Sequence, residues 1–287
     1  MNKIILVFLA AIIATASSNP CLEKYDVYTR TGSYSNVDLG TDSSMLTNIM
    51  TAIIVHGHRG SGGTTLNPQV KNAFLTVADM NIIVVDWHEY AKNSYSIASG
   101  SVKIVAECIA DTLNLLLSQT ESDDTTAEPP VLSYELIHMV GFDLGAHIVG
   151  MVGRSLDQKV ARITGLSPAR QGWDSRSGRL NNGDARYVEV IHTDSNGALG
   201  HGVNEAIGQV DFFVNGGSRQ PGCFLNNRCN HEYAWKIFAL SIVQNIFGNH
   251  CRNRHQVTLN TCRRGDILIM GNIQLNKRGS GLYRVNT

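Results

Sequence analysis

The sequence predicts an α/β protein with a mainly parallel central sheet flanked by helices. Two observations carry this expectation. Short apolar runs of strand length alternate with amphipathic stretches at helical spacing. In addition, Gly141-Phe142-Asp143-Leu144-Gly145 follows a strand-like run and opens a helix-like one, the context of a sharp strand-to-helix turn.

Taken in order, Ala52-Ile53-Ile54-Val55 reads as a buried strand ending at His56-Gly57. Residues 70–79 can form a helix, and Ile82-Ile83-Val84-Val85 a second strand ending at Asp86-Trp87. Val102, Val105, Ile109, Leu113 and Leu116 place apolar residues at helical spacing over 101–117. Residues 119–130 are polar and acidic, end in two prolines and read as an exposed loop. Residues 136–140 lead into the elbow, and 146–156 form the helix behind it. Residues 162–166 make a strand ending at Ser167, and 187–191 one ending at His192-Thr193-Asp194. The glycine-rich stretch 197–217 reads as irregular, and 231–246 as the last long helix. Trp87, Trp173 and Trp235 read as packing or pocket wall, and Tyr25, Tyr28 and Tyr34 as an edge.

The chain of 287 residues is long enough for one large core. Residues 1–16 read as a secretory signal: Lys3, an apolar core over 4–14, and Ala14-Thr15-Ala16 as a cleavage pattern. That core is shorter than the roughly 20 residues a bilayer span needs. A single domain is expected over 17–287, extracellular and with no further membrane segment. Lys plus Arg equals Asp plus Glu at 24 each, so nucleic acid is not an expected partner. Arg252, Arg254, His255, Arg263 and Arg264 give a local basic bias that reads as a solvated face, with heparan-like glycan or anionic head groups as the sharper alternative. Six cysteines in a secreted chain suggest disulfides. Close spacing favours Cys223–Cys229 and Cys251–Cys262, leaving Cys21 with Cys108. No C-x-x-C spacing is present, His56 and His58 lack an evident third ligand, and no metal or cofactor is expected.

Six motifs occur in order: His56-Gly57-His58, Val85-Asp86-Trp87, the elbow with Gly145-Ala146-His147, Thr164-Gly165-Leu166-Ser167-Pro168-Ala169, His192-Thr193-Asp194, and 211–217 followed by Pro221-Gly222-Cys223. Together they resemble the pancreatic lipase family, on an α/β-hydrolase fold. The short Cys223–Cys229 segment and the missing C-terminal β-sandwich look like its phospholipase A1 branch, including insect lipase-like members. The resemblance implies roles residue by residue. Asp143 stands at the nucleophile position, Ser167 at the triad acid, and His231 at the triad histidine. The backbone N–H groups of Leu144 and His58 stand at the oxyanion hole, and Gln209 stands where histidine is usual. His147 and His192 belong to the scaffold.

Two of the three triad positions are thus changed. A carboxylate cannot form an acyl-enzyme as serine does, and removing the triad acid alone costs about 10⁴ in turnover in a serine protease. The expected protein is an inactive homologue that binds lipid or another apolar ligand, as the storage and carrier yolk proteins of higher flies do within this family. A membrane or lipoprotein surface is a further possible partner. Three enzyme readings stand beside it. Asp143 attacks directly, with His231 activating water and Asp194 as its acid; Ser167 attacks while Asp143 orients His231; or a separate site operates. An extracellular protein- or glycan-binding module is the remaining alternative.

Overall fold

A computed structural model of the chain describes residues 21, 23–39, 45–64, 66–118, 132–174, 178–195, 197–263 and 266–287. The expected leader, the loop at 119–130 and Arg264 lie outside the described residues. Among the described residues eleven strands form one sheet. In chain order they are β1 (Lys24–Tyr28), β2 (Ser33–Tyr34), β3 (Thr51–Val55), β4 (Asn81–Asp86), β5 (Ile137–Phe142), β6 (Arg162–Leu166), β7 (Tyr187–His192), β8 (Val210–Val214), β9 (Ile246–Cys251), β10 (Ile267–Met270) and β11 (Gly281–Val285). Their spatial order is β10-β9-β11-β8-β7-β6-β5-β3-β4-β1-β2. From β4 to β11 through β3, β5, β6, β7 and β8 every pairing is parallel, while β1, β2, β9 and β10 pair antiparallel at the two edges.

The central strands are apolar on both faces because both faces are covered. Along β3 the side chains alternate: Ile53 and Val55 enter one core, Ala52 and Ile54 the other. The first core packs under α3 (Tyr95–Ser118) and α4 (Leu144–Ser155), through Val102, Ile109, Ile148 and Val152. The second packs under α1 (Leu66–Val77) and α5 (Asn227–Val243), through Val70, Phe74, Trp235 and Phe238. Each such side chain removed from water contributes about 1.5–3 kcal/mol. Two short helices, α2 (His88–Ala91) and α6 (Arg254–Leu259), complete the set.

Several boundaries differ from the sequence reading, among them helix α4, which spans Leu144–Ser155 and not 146–156. Helices α1 and α3 begin earlier, at Leu66 and Tyr95. Helix α5 runs from Asn227 to Val243 and not to residue 246, because Ile246 opens β9. The stretch at 197–217 is not wholly irregular: β8 crosses it as a fully buried strand. The three tryptophans are buried, and the N-terminal tyrosines lie on or beside the edge pair β1–β2. Three disulfides close, Cys21–Cys108, Cys223–Cys229 and Cys251–Cys262, the pairing expected from the sequence. No helix among the described residues is long and apolar enough to cross a membrane.

Two glycines set the distance between α4 and the sheet. A Cβ at Gly145 would lie 2.3 Å from the Val55 carbonyl oxygen, and one at Gly141 would lie 2.3 Å from that of Gly145. Backbone contacts this close admit no side chain. Gly145→Ala is expected to destabilise the protein by about 1–3 kcal/mol, as overpacking does. Gly63→Ala, where a Cβ meets nothing within 4 Å, should stay within about 0.5 kcal/mol of the parent. Urea melts of the two variants check this, and equal losses would contradict the close-packing account.

Candidate functional site

The loops after β3, β5, β6 and β7 and the first turns of α5 meet over the carboxyl ends of the parallel strands, where open α/β sheets bind their ligands. Their side chains line a cleft of about 790 Å³. Its lining is mixed. Tyr95, Phe142 and Leu199 supply apolar surface, while Arg59, Arg170, Arg228, Glu232 and three histidines supply charge and hydrogen bonds.

Asp143 sits at the turn from β5 into α4 with φ 55° and ψ −119°. Such a conformation is sparsely populated for a residue with a Cβ and costs about 1–3 kcal/mol. It is held by backbone bonds: Asp143 N–H donates to the Leu166 carbonyl at 3.1 Å, and the Asp143 carbonyl accepts from Ala169 N–H at 3.1 Å. The turn thrusts the carboxylate into the cleft. Its Oδ2 accepts His58 N–H at 2.9 Å, the Leu144 N–H also donates to it, and its Oδ1 lies 3.3 Å from His231 Nε2. Burial alone would push this carboxyl up. The His231 hydrogen bond and charge, with the two N–H groups, more than offset that and hold it below the usual carboxylate range.

His231 lies on the second turn of α5. The N-cap Asn226 accepts Cys229 N–H at 3.0 Å, and Asn230 Oδ1 accepts Gln220 N–H at 2.7 Å. Gln220 is itself buried and donates to the Thr193 and Val214 carbonyls at 2.9 and 3.0 Å. This links α5 to the ends of β7 and β8. On the side away from Asp143, His231 Nδ1 lies 3.7 Å from Asp194 Oδ2. Ser167 does not reach the imidazole. Its hydroxyl pairs with Thr193 Oγ1 at 2.9 Å and accepts Thr193 N–H at 3.2 Å, and His231 Nδ1 has no hydrogen-bond partner. Asp143, His231, Asp194 and the N–H groups of His58 and Leu144 therefore converge, whereas Ser167 stays behind Thr193.

The loop carrying His58 is braced from β4. His56 Nε2 lies 3.1 Å from Asp86 Oδ1, Trp87 Nε1–H donates to the His56 carbonyl at 2.8 Å, and the two rings stack at 5.5 Å. His58 Nε2 lies 2.9 Å from the Asn93 carbonyl. His147 and His192 serve the scaffold, as expected. His147 Nε2 meets the Ala169 carbonyl at 2.7 Å, and His192 Nε2 meets Asp211 Oδ1 at 2.8 Å. Gln209 takes part in the loop through its backbone, donating N–H to the Val188 carbonyl at 2.8 Å. Of the basic residues noted late in the chain, Arg254 is not on a free face. Its guanidinium lies 3.8 Å from the centre of the Phe213 ring and donates to Asn204.

Sequence reasoning missed His201. Its N–H and its Nδ1 both meet Asp194 Oδ2, at 2.9 and 3.0 Å. That hydrogen bond raises the His201 pKa above the ordinary histidine value, against partial burial, which lowers it. No motif announced it, because the loop from Asp194 back to His201 is irregular.

The parallel sheet, the strained turn into α4 and the histidine and carboxylates beyond the strand ends define an α/β-hydrolase scaffold. The Lipase family model matches residues 28–266. Lipase member H-A of Xenopus laevis is 32% identical over 254 residues, covering 82% of this chain and 52% of that protein. Pancreatic lipase-related protein 2 of Cavia porcellus is 34% identical over 223 residues, covering 75% and 49%. Pancreatic triacylglycerol lipase of Cavia porcellus is 30% identical over 270 residues, covering 83% and 56%. The chain belongs to the pancreatic lipase family, and it spans about half the length of these relatives.

Two outcomes follow from the site. Burial acts to raise the Asp86 carboxyl, but its bonds to His56, Gly62 and His88 bring it down from 3.8 to about 2. A depressed pKa means its stabilising contribution is present above pH 3.8 and is lost as pH falls through about 2. Asp86→Asn should flatten the fall of Tm between about pH 4 and pH 2, and an unchanged slope would assign that sensitivity to other carboxylates. Second, Asp143→Ser with Ser167→Asp should give measurable esterase turnover, and either single change far less. A folded but inert double variant would place the lost function in the oxyanion loop at His58 or overturn the assignment of the three positions.

Proposed function

We propose that this is a secreted lipase-family protein that has lost serine esterase activity and binds a lipid or another apolar ligand, in a carrier, storage or secreted-fluid role. The observation that carries the reading is the Asp143 carboxylate. It stands where a nucleophilic hydroxyl would be, and it accepts the two backbone N–H groups that would stabilise an oxyanion. A charged group already fills that hole, so a substrate carbonyl has neither attacker nor electrostatic support there.

The cleft supports an amphiphilic ligand. Tyr95, Phe142 and Leu199 can meet an acyl chain, and Arg59, Arg170 and Arg228 can meet an anionic head. Beside it, the loop closed by Cys223–Cys229 carries Phe224 and Leu225 at 86% and 83% exposure, and Leu199 on the cleft wall is 72% exposed. Apolar groups so exposed suit contact with a membrane or lipoprotein surface. The three disulfides fit an oxidising compartment, consistent with the leader read at 1–16.

A second reading keeps hydrolysis, with Asp143 as nucleophile and His231 activating water. The placing of His231 between Asp143 and Asp194 supports it. Ester and phospholipid turnover on purified secreted protein, with a fluorophosphonate probe and native mass spectrometry alongside, separates the two. Co-purified lipid without turnover or labelling is the expected result. Turnover without labelling, abolished by Asp143→Asn, would establish the second reading instead. Labelling at Ser167 would overturn both.

A further inference from the structure

The neighbourhood of His231 holds more ligating atoms than its hydrogen bonds use. Asp194, His201 and His231 each offer one ligand atom, and those atoms all lie within 4.8 Å of one another. Asp194 is fully buried, yet its Oδ1 has no hydrogen-bond partner. His231 is about nine-tenths buried, and its Nδ1 has none either. An unpaired buried polar atom costs about 1–3 kcal/mol, so each of these calls for a partner. The approach of His231 Nδ1 to the other Asp194 oxygen, Oδ2, which His201 already meets, is 3.7 Å, too long for a hydrogen bond. It does suit a cation. Zinc holds imidazole nitrogen and carboxylate oxygen at about 2.0–2.2 Å, so tetrahedral donors lie about 3.4 Å apart. The separations of 3.7 Å from Asp194 to His231 and 3.0 Å from Asp194 to His201 bracket that value.

We propose that Asp194, His201 and His231 form a binding site for a zinc-type divalent transition metal at the mouth of the cleft. Two imidazoles and one carboxylate favour such a metal over calcium or magnesium, which prefer all-oxygen shells. Three protein ligands leave a fourth position on the cleft side for water. The site accounts for the far side of His231 as well. With Nδ1 on the metal, Nε2 carries the proton and donates to Asp143 Oδ1, now 3.3 Å away. Metal-bound histidines are oriented in this way by a carboxylate behind them. Asp143, pinned by two backbone N–H groups, is then a positioning residue. Binding displaces the proton by which His201 Nδ1 meets Asp194, so affinity falls as pH falls. The site is independent of whether the cleft carries lipid.

The test is calorimetric titration of zinc chloride into chelator-treated full-length secreted protein. One zinc per chain is expected, with a Kd weakened at least about tenfold in Asp143→Asn, as for loss of an orienting partner. His201→Ala removes a ligand on a half-exposed side chain, where folding is not at stake, and should abolish the high-affinity phase. His255→Ala changes an exposed histidine elsewhere and should leave the titration unchanged. Zinc-edge absorption should show two imidazole ligands. No binding, equal affinity in His201→Ala, or equal loss in His255→Ala would each overturn the assignment, the last pointing to adventitious surface histidines.

Discussion

At the elbow, backbone lies against backbone with no side chain between. The peptide of Gly145 rests on the end of β3 and Gly141 rests on Gly145, so α4 comes nearer the sheet than any residue with a Cβ would allow. That approach aims the first N–H of the helix into the cleft and forces residue 143 to positive φ. The positions of the cleft wall and of the oxyanion donors follow from it, and so does the direction in which residue 143 points. The chemistry of residue 143 does not. The close contacts demand glycines at 141 and 145 but place no such demand on residue 143 in the turn between them, so the framework does not dictate the chemistry at that position.

The substitution at 143 is also well matched to its surroundings. A helix N-terminus and a second backbone donor already favour negative charge there. In an active hydrolase that charge exists only during reaction; with aspartate it is permanent. On the proposed reading, the site stabilises a resident anion in place of a fleeting one. The strain of the turn is now set against ordinary ground-state hydrogen bonds.

Much of this was legible in the chain. The parallel strands announced themselves because burial on both faces makes their sequences continuously apolar. Strand β9, next to the sheet edge, did not, since it alternates buried and exposed positions and carries Asn249 and His250, and neither did the central strand β8, hidden in a glycine-rich stretch. The starts of α1 and α3 were missed because their first turns, Leu66-Asn67-Pro68-Gln69 and Tyr95-Ser96-Ile97-Ala98, mix apolar and polar residues, with clear helical periodicity only further in. Within the site, Asp143, His231 and Asp194 could be placed because motifs flank them. His201 could not, since its partner is reached through an irregular loop. Nor could the turning of the Ser167 hydroxyl to Thr193, which depends on the register between β6 and β7.

The order of strands in space has its own implication for how the molecule is made. Strand β11, the last of the described strands in sequence, is not at an edge; it lies between β8 and β9, parallel to one and antiparallel to the other. The β9–β10 hairpin therefore joins the rest of the sheet only through five residues translated after it. Contacts so distant along the chain form slowly. During synthesis the edge of β8 stays open until β11 is made, so this flank is where a half-finished molecule is most exposed to wrong partners.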